Sequence, residues 1–173
     1  MNETAQNAHD VDQMAIGEDG QQFLTFMLAG EEYGVDILRV QEIKCWDSVT
    51  KIPNTPEYIR GVINLRGTIV PIIDMRLRFH LERLDYGTTT VVIVLKVLRE
   101  GDKSRTMGIV VDGVSDVYNI ANSEIKDAPD FGTAVDTKFV KGLTTVNEKM
   151  VILLDIDHMC NSAELMVMDA ISE

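Results

Sequence analysis

The chain has 173 residues, of which 45% are hydrophobic and 25% charged, a mix typical of a soluble globular protein of one domain or two very small ones. With 16 Lys and Arg against 28 Asp and Glu, its net charge of −12 argues against the phosphate-tracking surface of a nucleic-acid-binding protein. No apolar run approaches the ~20 residues of a membrane span, and the N-terminus has neither the basic start nor the apolar stretch of a secretory signal. We therefore expect no nucleic-acid partner and no direct membrane insertion.

The charge is unevenly distributed along the chain. Residues 1–38 contain eight acidic residues and no Lys or Arg, whereas residues 39–86 contain eight basic against six acidic residues. Residues 1–20 also lack a periodic apolar pattern, so they are predicted to form a disordered acidic tail. Partner-facing basic residues are expected in the mildly positive region that begins at Arg39, with solvated surface charge as the alternative.

Short apolar segments separated by Gly, Pro, Asn and Asp follow this tail. Those rich in Val, Ile and Thr are predicted to be strands: 23–28, 32–37, 61–64, 68–73, 90–97, 105–111 and 150–154. Such a series of short strands favours barrels or a sandwich over helices packed on a parallel sheet. Pro71 cannot donate a ladder hydrogen bond, so its strand is expected at a sheet edge or at a bulge.

An internal repeat sharpens the fold prediction. The aligned segments are 33–43 with 107–117, 58–62 with 139–143, and 69–74 with 150–155. Because the aligned segments share Gly and Asp positions, duplication is favoured over chance. The sequence therefore predicts a mostly β protein of two similar small barrels in tandem, about residues 21–86 and 87–157. Helix formers near the C-terminus add a helix and tail over 158–173.

Each repeat is predicted to contain a one-turn helix before its second hairpin. In the first repeat Thr55 is the expected N-cap, Pro56 the first helical residue and Gly61 the left-handed terminator. In the second repeat Asp136 takes the cap position and Gly142 that of the terminator.

The sequence lacks the residue patterns of a metal or nucleophile site. His9, His80 and His158 are scattered, and no HExxH, CxxC, GxSxG or phosphate-binding glycine loop occurs. Cys45 and Cys160 lie far apart and are expected to be reduced thiols, with a disulfide between them as the alternative. We expect no catalytic residue, no metal and no cofactor.

Asp74 and Asp155 are a conceivable acid–base couple, because each closes an apolar strand. They occupy equivalent positions of the two repeats, however, which favours a structural role. Each is expected to accept backbone hydrogen bonds at a strand-to-helix corner. What remains is a binding module.

Two features suggest binding surfaces. Arg66 precedes Gly67 between two predicted strands, so it is expected at a hairpin tip where Gly67 supplies a positive φ. A solvated turn arginine is the alternative. Val40 and Ile43 flank Glu42 and, three residues apart, are predicted to share a face, with burial in the core as the alternative.

Four stretches of the chain together resemble the CheW family of bacterial chemotaxis coupling proteins. They are FLTFMLAGEEYGVDILRVQEI, IPNTPEYIRGVINLRGTIVPIIDMRLRF, TVVIVL and GIVVDGVSDV. The second stretch is the most specific, since its loop, cap, hairpin and arginine fall in the order found in that family. The likeness extends from Gln21 to about residue 169.

The resemblance implies two five-stranded, SH3-like barrels around a shared core and no catalytic activity. It implies a cytoplasmic adapter, recruited to receptor arrays at the inner face of the membrane. Its partners would be the cytoplasmic tips of methyl-accepting chemoreceptors and the regulatory domain of the histidine kinase CheA. Because that regulatory domain is itself CheW-like, ring assembly between such domains is also implied.

The same resemblance implies a set of partner-binding residues by matching position: Val40, Glu42, Ile43, Gly61, Arg66 and Val117. The chain departs from the family pattern at 96–106, where the link between strands is longer and more charged than expected. Two alternatives stay open. One is a CheW-like regulatory protein that binds the kinase without receptors, and the other is a small-barrel ligand-binding protein or hydrolase that uses Asp74 or Asp155.

Overall fold

The computed structural model describes residues 20–99, 103–128 and 137–160, and these form mostly strands. The strands are β1 Gly20–Leu28, β2 Glu31–Asp36, β3 Val40–Cys45, β4 Ile59–Leu65, β5 Thr68–Asp74, β6 Val91–Arg99, β7 Lys103–Val111, β8 Gly113–Ala121, β9 Val140–Val146 and β10 Lys149–Leu154. Helix α1 (Met75–Arg78) follows β5, and α2 (Ile156–Cys160) follows β10. Residue 20 of the predicted tail begins β1, while residues 1–19 and the rest of the C-terminal helix and tail lie outside the described residues. No helix of the described part is long and apolar enough to cross a membrane.

The strands form two five-stranded sheets that fold as SH3-like barrels, which confirms the predicted fold class. One sheet has the order β8-β1-β2-β10-β9 and the other β3-β6-β7-β5-β4. If five is added to each strand number of the second sheet, and counting starts again at β1 after β10, the order becomes that of the first sheet. The two barrels therefore share one topology, as the repeat predicts.

Strands of both repeats contribute to each barrel. Each barrel takes the first two strands of one repeat and the last three of the other, so the expected boundary near residue 86 does not separate the two barrels. The reason is that the first hairpin of each repeat pairs across to its partner repeat. Parallel pairing of β2 with β10, and of β5 with β7, makes this exchange.

Repeated glycines mark the two parallel joints. Gly34 pairs with Leu153, and Gly108 pairs with Ile72. A Cβ at Gly34 would lie 2.9 Å from Leu153 Cδ2, and one at Gly108 would lie 2.6 Å from Ile72 Cδ1. The end of the neighbouring side chain occupies the space, so a larger residue at either position would require that side chain to shift.

The core has a shared part and one part for each barrel. The shared part lies between the barrels and includes Phe26, Tyr33 and Phe79, whose rings stack in series with centroids 5.8 Å apart at each step. Smaller clusters around Val94 and around Phe23 fill the individual barrels. Such a shared apolar layer stabilises the two barrels against each other through burial.

Three observed strands, β3, β8 and β9, are missing from the sequence prediction. Each lies at an end of its sheet order and has charged or polar residues on an exposed face, as the alternating exposure of β3 illustrates. The prediction depended on apolar, β-branched runs, which identify strands that are buried on both faces. Strands at the ends of a sheet have one solvent-exposed face, so their sequences contain fewer apolar residues in a row and are harder to recognise as strands.

Two local expectations are corrected. No helix forms after Thr55; a single turn does, closed by the Ile59 N–H donating to the Pro56 carbonyl at 3.0 Å, and Gly61 lies inside β4. Gly142 likewise lies inside β9, after a 3₁₀ turn at Thr137–Phe139.

Pro71 lies at no bulge, since β5 pairs regularly with β4 there, but it precedes the described pairing with β7, so the expectation of an edge holds locally although β5 is an interior strand of its sheet. Its opposite residue in β4 is Val62, whose N–H and carbonyl both bond to Thr50, at 2.8 and 2.9 Å. Pro71 is therefore in a non-hydrogen-bonded pair, and its nitrogen faces away from β4. On the other side, described pairing with β7 begins only at Ile72, so the missing donor breaks no ladder bond.

Candidate functional site

Glu42 and Arg66, both expected at a partner surface, meet in an ion pair. Glu42 lies in β3 and Arg66 follows β4, and these strands are the two ends of their sheet order. Arg66 Nη2 is 2.6 Å from Glu42 Oε2, and the two side chains are 74% and 27% exposed. The pair therefore closes the barrel on one side while the guanidinium stays accessible to solvent.

The turn that carries Arg66 has an unfavourable backbone conformation for an arginine. Arg66 and Gly67 have φ of 51° and 87°, the pattern of a two-residue hairpin turn with both central residues left-handed. The Gly67 N–H donates to Asn64 Oδ1 at 2.8 Å, which holds the turn. Gly or Asn would fit the first position better than an arginine does.

A bulge sets how Val40 and Ile43 pair with β6, but the two residues differ in burial, so their shared face stays a prediction. In a regular strand, residues three apart point to opposite faces. The register of β3 shifts between Val40 and Glu42, so that Val40 pairs with Leu95 and Ile43 with Ile93, two residues apart on β6. Val40 packs against the shared core, whereas Ile43 is 45% exposed.

Val117 lies in the other barrel, on β8, where it is 41% exposed. Strand β8 is the repeat equivalent of β3, and Val117 is aligned with Ile43. The structure thus places the two exposed apolar residues at equivalent positions of the two barrels. They lie on different sheets, so Val117 is not part of the surface that β3 presents.

Gly61 has a structural reason to be glycine. Its φ is 143°, and a Cβ there would lie 2.2 Å from the Thr50 carbonyl oxygen. The close approach allows the Thr50–Val62 bridge that joins the two ends of the sheet. Its role in partner binding stays a prediction, with an effect through folding as the direct physical expectation.

Leu38 is an exposed apolar residue that the sequence prediction missed. It lies in the 3₁₀ turn Ile37–Arg39 just before β3 and is 85% exposed. The Asp36 carboxylate accepts the Leu38 N–H at 2.9 Å and so caps this turn. The signal in the sequence is an Asp two residues before a leucine at the end of a strand, which is typical of a capped turn that presents the next side chain outward.

Asp74 and Asp155 have the structural role that their repeat positions predict. Asp74 Oδ1 accepts the Leu77 N–H at 3.2 Å, and Asp155 Oδ1 accepts the His158 N–H at 3.0 Å, so each caps the helix after its strand. The other Asp74 oxygen accepts the Tyr86 hydroxyl. No group of three or more His, Cys, Asp or Glu able to hold a metal occurs within the described ranges.

Comparison with known proteins shows similarity over most of the chain. The family model for the CheW-like domain matches residues 22–164. The chain is 47% identical over 154 residues to the chemotaxis protein CheW of Klebsiella aerogenes, covering 89% of this chain and 90% of that protein. It is 32% identical over 145 residues to the chemotaxis protein CheW of Rhizobium meliloti, covering 84% and 90%. The crystal structure of the scaffolding protein TtCheW from Thermoanaerobacter tengcongensis superposes with a TM-score of 0.74 at 35% identity, covering 83% and 90%.

Proposed function

This chain belongs to the CheW family, and we propose that it is a non-catalytic adapter that couples the cytoplasmic tips of methyl-accepting chemoreceptors to the histidine kinase CheA. The adapter would work in the cytoplasm and be recruited to receptor arrays at the inner face of the membrane. Ring assembly with other CheW-like domains, including the regulatory domain of the kinase, is part of the same proposal. The observation that carries the site is the exposed Glu42–Arg66 pair.

An interface role for Arg66 is supported by its exposure and its turn position. The arginine is held at a hairpin tip by Glu42, so a partner carboxylate would meet a guanidinium that is already oriented. Ile43 and Leu38 add exposed apolar area near β3. Arginine is enriched among interface positions that cost ~2 kcal/mol or more on truncation, which corresponds to roughly 30-fold weaker binding.

The test is Arg66→Ala, measured for melting temperature and for receptor-dependent kinase activity in reconstituted arrays. Alanine keeps the Cβ, so the backbone cost of the left-handed turn hardly changes. Only a solvent-exposed ion pair is lost, and stability should change by about 0.5 kcal/mol or less. We expect receptor control of the kinase to be lost while the protein stays folded.

A matched control is Asn147→Ala at the tip of the β9–β10 hairpin, where the same turn position also has a φ of 51°. It should leave coupling unchanged. If Arg66→Ala has normal coupling and a normal melting temperature, Arg66 is only a solvated turn residue. If its melting temperature falls sharply, the role of Arg66 is structural. In a lysate pull-down, recovery of kinase without receptors would instead indicate a regulatory protein that binds the kinase alone.

A further inference from the structure

A cleft of about 450 Å³ opens where β5 and β7 diverge. The described parallel pairing of these strands covers only Ile72–Asp74 with Gly108–Val110. Before that point, Thr68, Ile69 and Pro71 of β5 and residues 104–106 of β7 line the cleft from opposite sides. The volume is within the ~300–1,000 Å³ of typical ligand sites.

The β5 side of the cleft presents an open strand edge. Leu65 and Thr68 flank the two-residue turn and form the first pair of the β4–β5 hairpin. In such a hairpin this pair is hydrogen-bonded, so the next residue, Ile69, directs its N–H and carbonyl away from β4. The Pro71 carbonyl points the same way, because Val62 opposite it bonds to Thr50, but the parallel pairing of Ile72 with Gly108 gives that carbonyl the Gly108 N–H as its donor. The open backbone groups that face the cleft are therefore the N–H and carbonyl of Ile69.

The β6–β7 side of the cleft is cationic. Lys96, Arg99 and Arg105 line it together with uncharged polar residues, and no carboxylate of the described residues does so. Arg99 and Arg105 also make other contacts within the chain, so Lys96 is the principal cation. Residues 96–106 contain four basic and two acidic residues by sequence, a local excess of two positive charges in a chain of net charge −12.

From these observations we propose that the cleft binds an extended acidic segment of a partner protein, which adds as a strand to the open edge of β5. An extended backbone matches the open N–H and carbonyl of Ile69, and acidic side chains match the cationic hairpin. The cleft borders the Glu42–Arg66 pair, because lining residues Gln41 and Gly67 are their immediate neighbours in sequence. The proposal goes beyond the adapter role and does not depend on it.

The probe is a short fluorescent peptide of alternating Glu and Val, with a Lys–Val peptide of equal length as its control. Binding to the full chain is followed by fluorescence anisotropy. Lys96→Glu should weaken binding about tenfold. Lys103→Glu, on the same hairpin but outside the lining, should change binding by about twofold or less, as expected for a charge that contacts no ligand.

Strand addition is tested separately from charge. Ile69→Pro removes the N–H that faces the cleft and should abolish binding without a large change in melting temperature. In the wild-type protein, the bound peptide should slow hydrogen exchange at the Ile69 amide. Equal binding of the Lys–Val peptide, or an unaffected Lys96→Glu variant, would overturn the proposal. Displacement by inorganic phosphate at matched ionic strength, with unchanged exchange at Ile69, would also overturn it in favour of a simple anion site.

Discussion

Arg39 and Asp157 form a two-fold hydrogen-bonded ion pair, with both N–O distances 2.7 Å, that joins the end of the first hairpin to helix α2 of the other repeat. Asp157 also accepts the Leu98 N–H at 2.8 Å. One carboxylate therefore ties together three segments that are distant in sequence. Arg39 and Asp157 are both partly buried, and their two parallel charge-assisted hydrogen bonds make the pair stronger than a single exposed contact.

A second ion pair joins the repeats in the same way, but here the arginine is on the helix and the aspartate follows the hairpin. Arg76 of α1 bonds to Asp112, which follows β7, through Nε–Oδ1 at 2.8 Å and Nη2–Oδ2 at 2.7 Å. Asp112 also accepts the Ala29 N–H at 2.9 Å. In both repeats one arginine–aspartate pair thus joins the first hairpin to the helix of the partner repeat, with the arginine and the aspartate on opposite sides of the contact in the two cases.

These pairs predict loss of stability in acid. Burial raises the pKa of Asp112 and of Asp157, but the arginine hydrogen bond, a backbone N–H and the arginine charge together outweigh it, so each pKa lies below its usual value. A lowered pKa in the folded state gives stability that is complete well above the unfolded value of ~3.9 and is lost as pH falls through the folded value.

The measurement is the free energy of unfolding by urea between pH 7 and pH 2. The wild type should lose stability below about pH 4, and the Asp112→Asn/Asp157→Asn double variant should start less stable and show a shallower dependence. An identical pH slope in both proteins would show that other carboxylates control acid unfolding.

Exchanging the charges of the Glu42–Arg66 pair distinguishes its contribution to the stability of the barrel from its contribution to partner binding. Arg66→Glu places two carboxylates together and should lower stability by about 1 kcal/mol or less, since the site is exposed. The double variant Glu42→Arg/Arg66→Glu re-forms an ion pair and should recover the melting temperature. Receptor-dependent kinase control should stay lost, whereas its full recovery would mean that the pair acts only within the chain.

Two glycines of the same hairpin should differ in what alanine costs. Gly61→Ala meets the Thr50 carbonyl oxygen at 2.2 Å in a left-handed backbone and should lose about 2–4 kcal/mol of unfolding free energy. Gly67→Ala has φ of 87° but no atom within 4 Å, so it should cost only the backbone term of about 1–2 kcal/mol. Denaturant unfolding of both variants checks this order, and equal losses would contradict the steric account.

The two cysteines should differ in reactivity. Both are free thiols, so the alternative of a disulfide between them is not realised; Cys45 is exposed and Cys160 is buried. Burial raises the pKa of the Cys160 thiol to about 12, which suppresses its reactive thiolate. A disulfide-exchange reagent should titrate Cys45 alone in the folded protein and both thiols in denaturant. Rapid modification of Cys160 without denaturant would show that α2 opens readily.

The strand class, the duplication and the Arg66 hairpin tip could all be predicted from the sequence. Each depends on residues close together in the chain: an alternating apolar run, a glycine beside an arginine, or a segment that recurs with the same Gly and Asp positions. The helix-capping role of Asp74 and Asp155 was predictable for the same reason, since the capped N–H lies three residues away.

Which strands pair was decided only in the tertiary structure. Strand partners are chosen by burial and backbone hydrogen bonding across long separations, and either repeat could in principle have kept its own first hairpin. The exchange, the meeting of Glu42 with Arg66 across the ends of a sheet, and the bulge in β3 all follow from that choice. A one-residue shift of register reverses the face of every later side chain, so the position of the bulge decides which side chains are exposed.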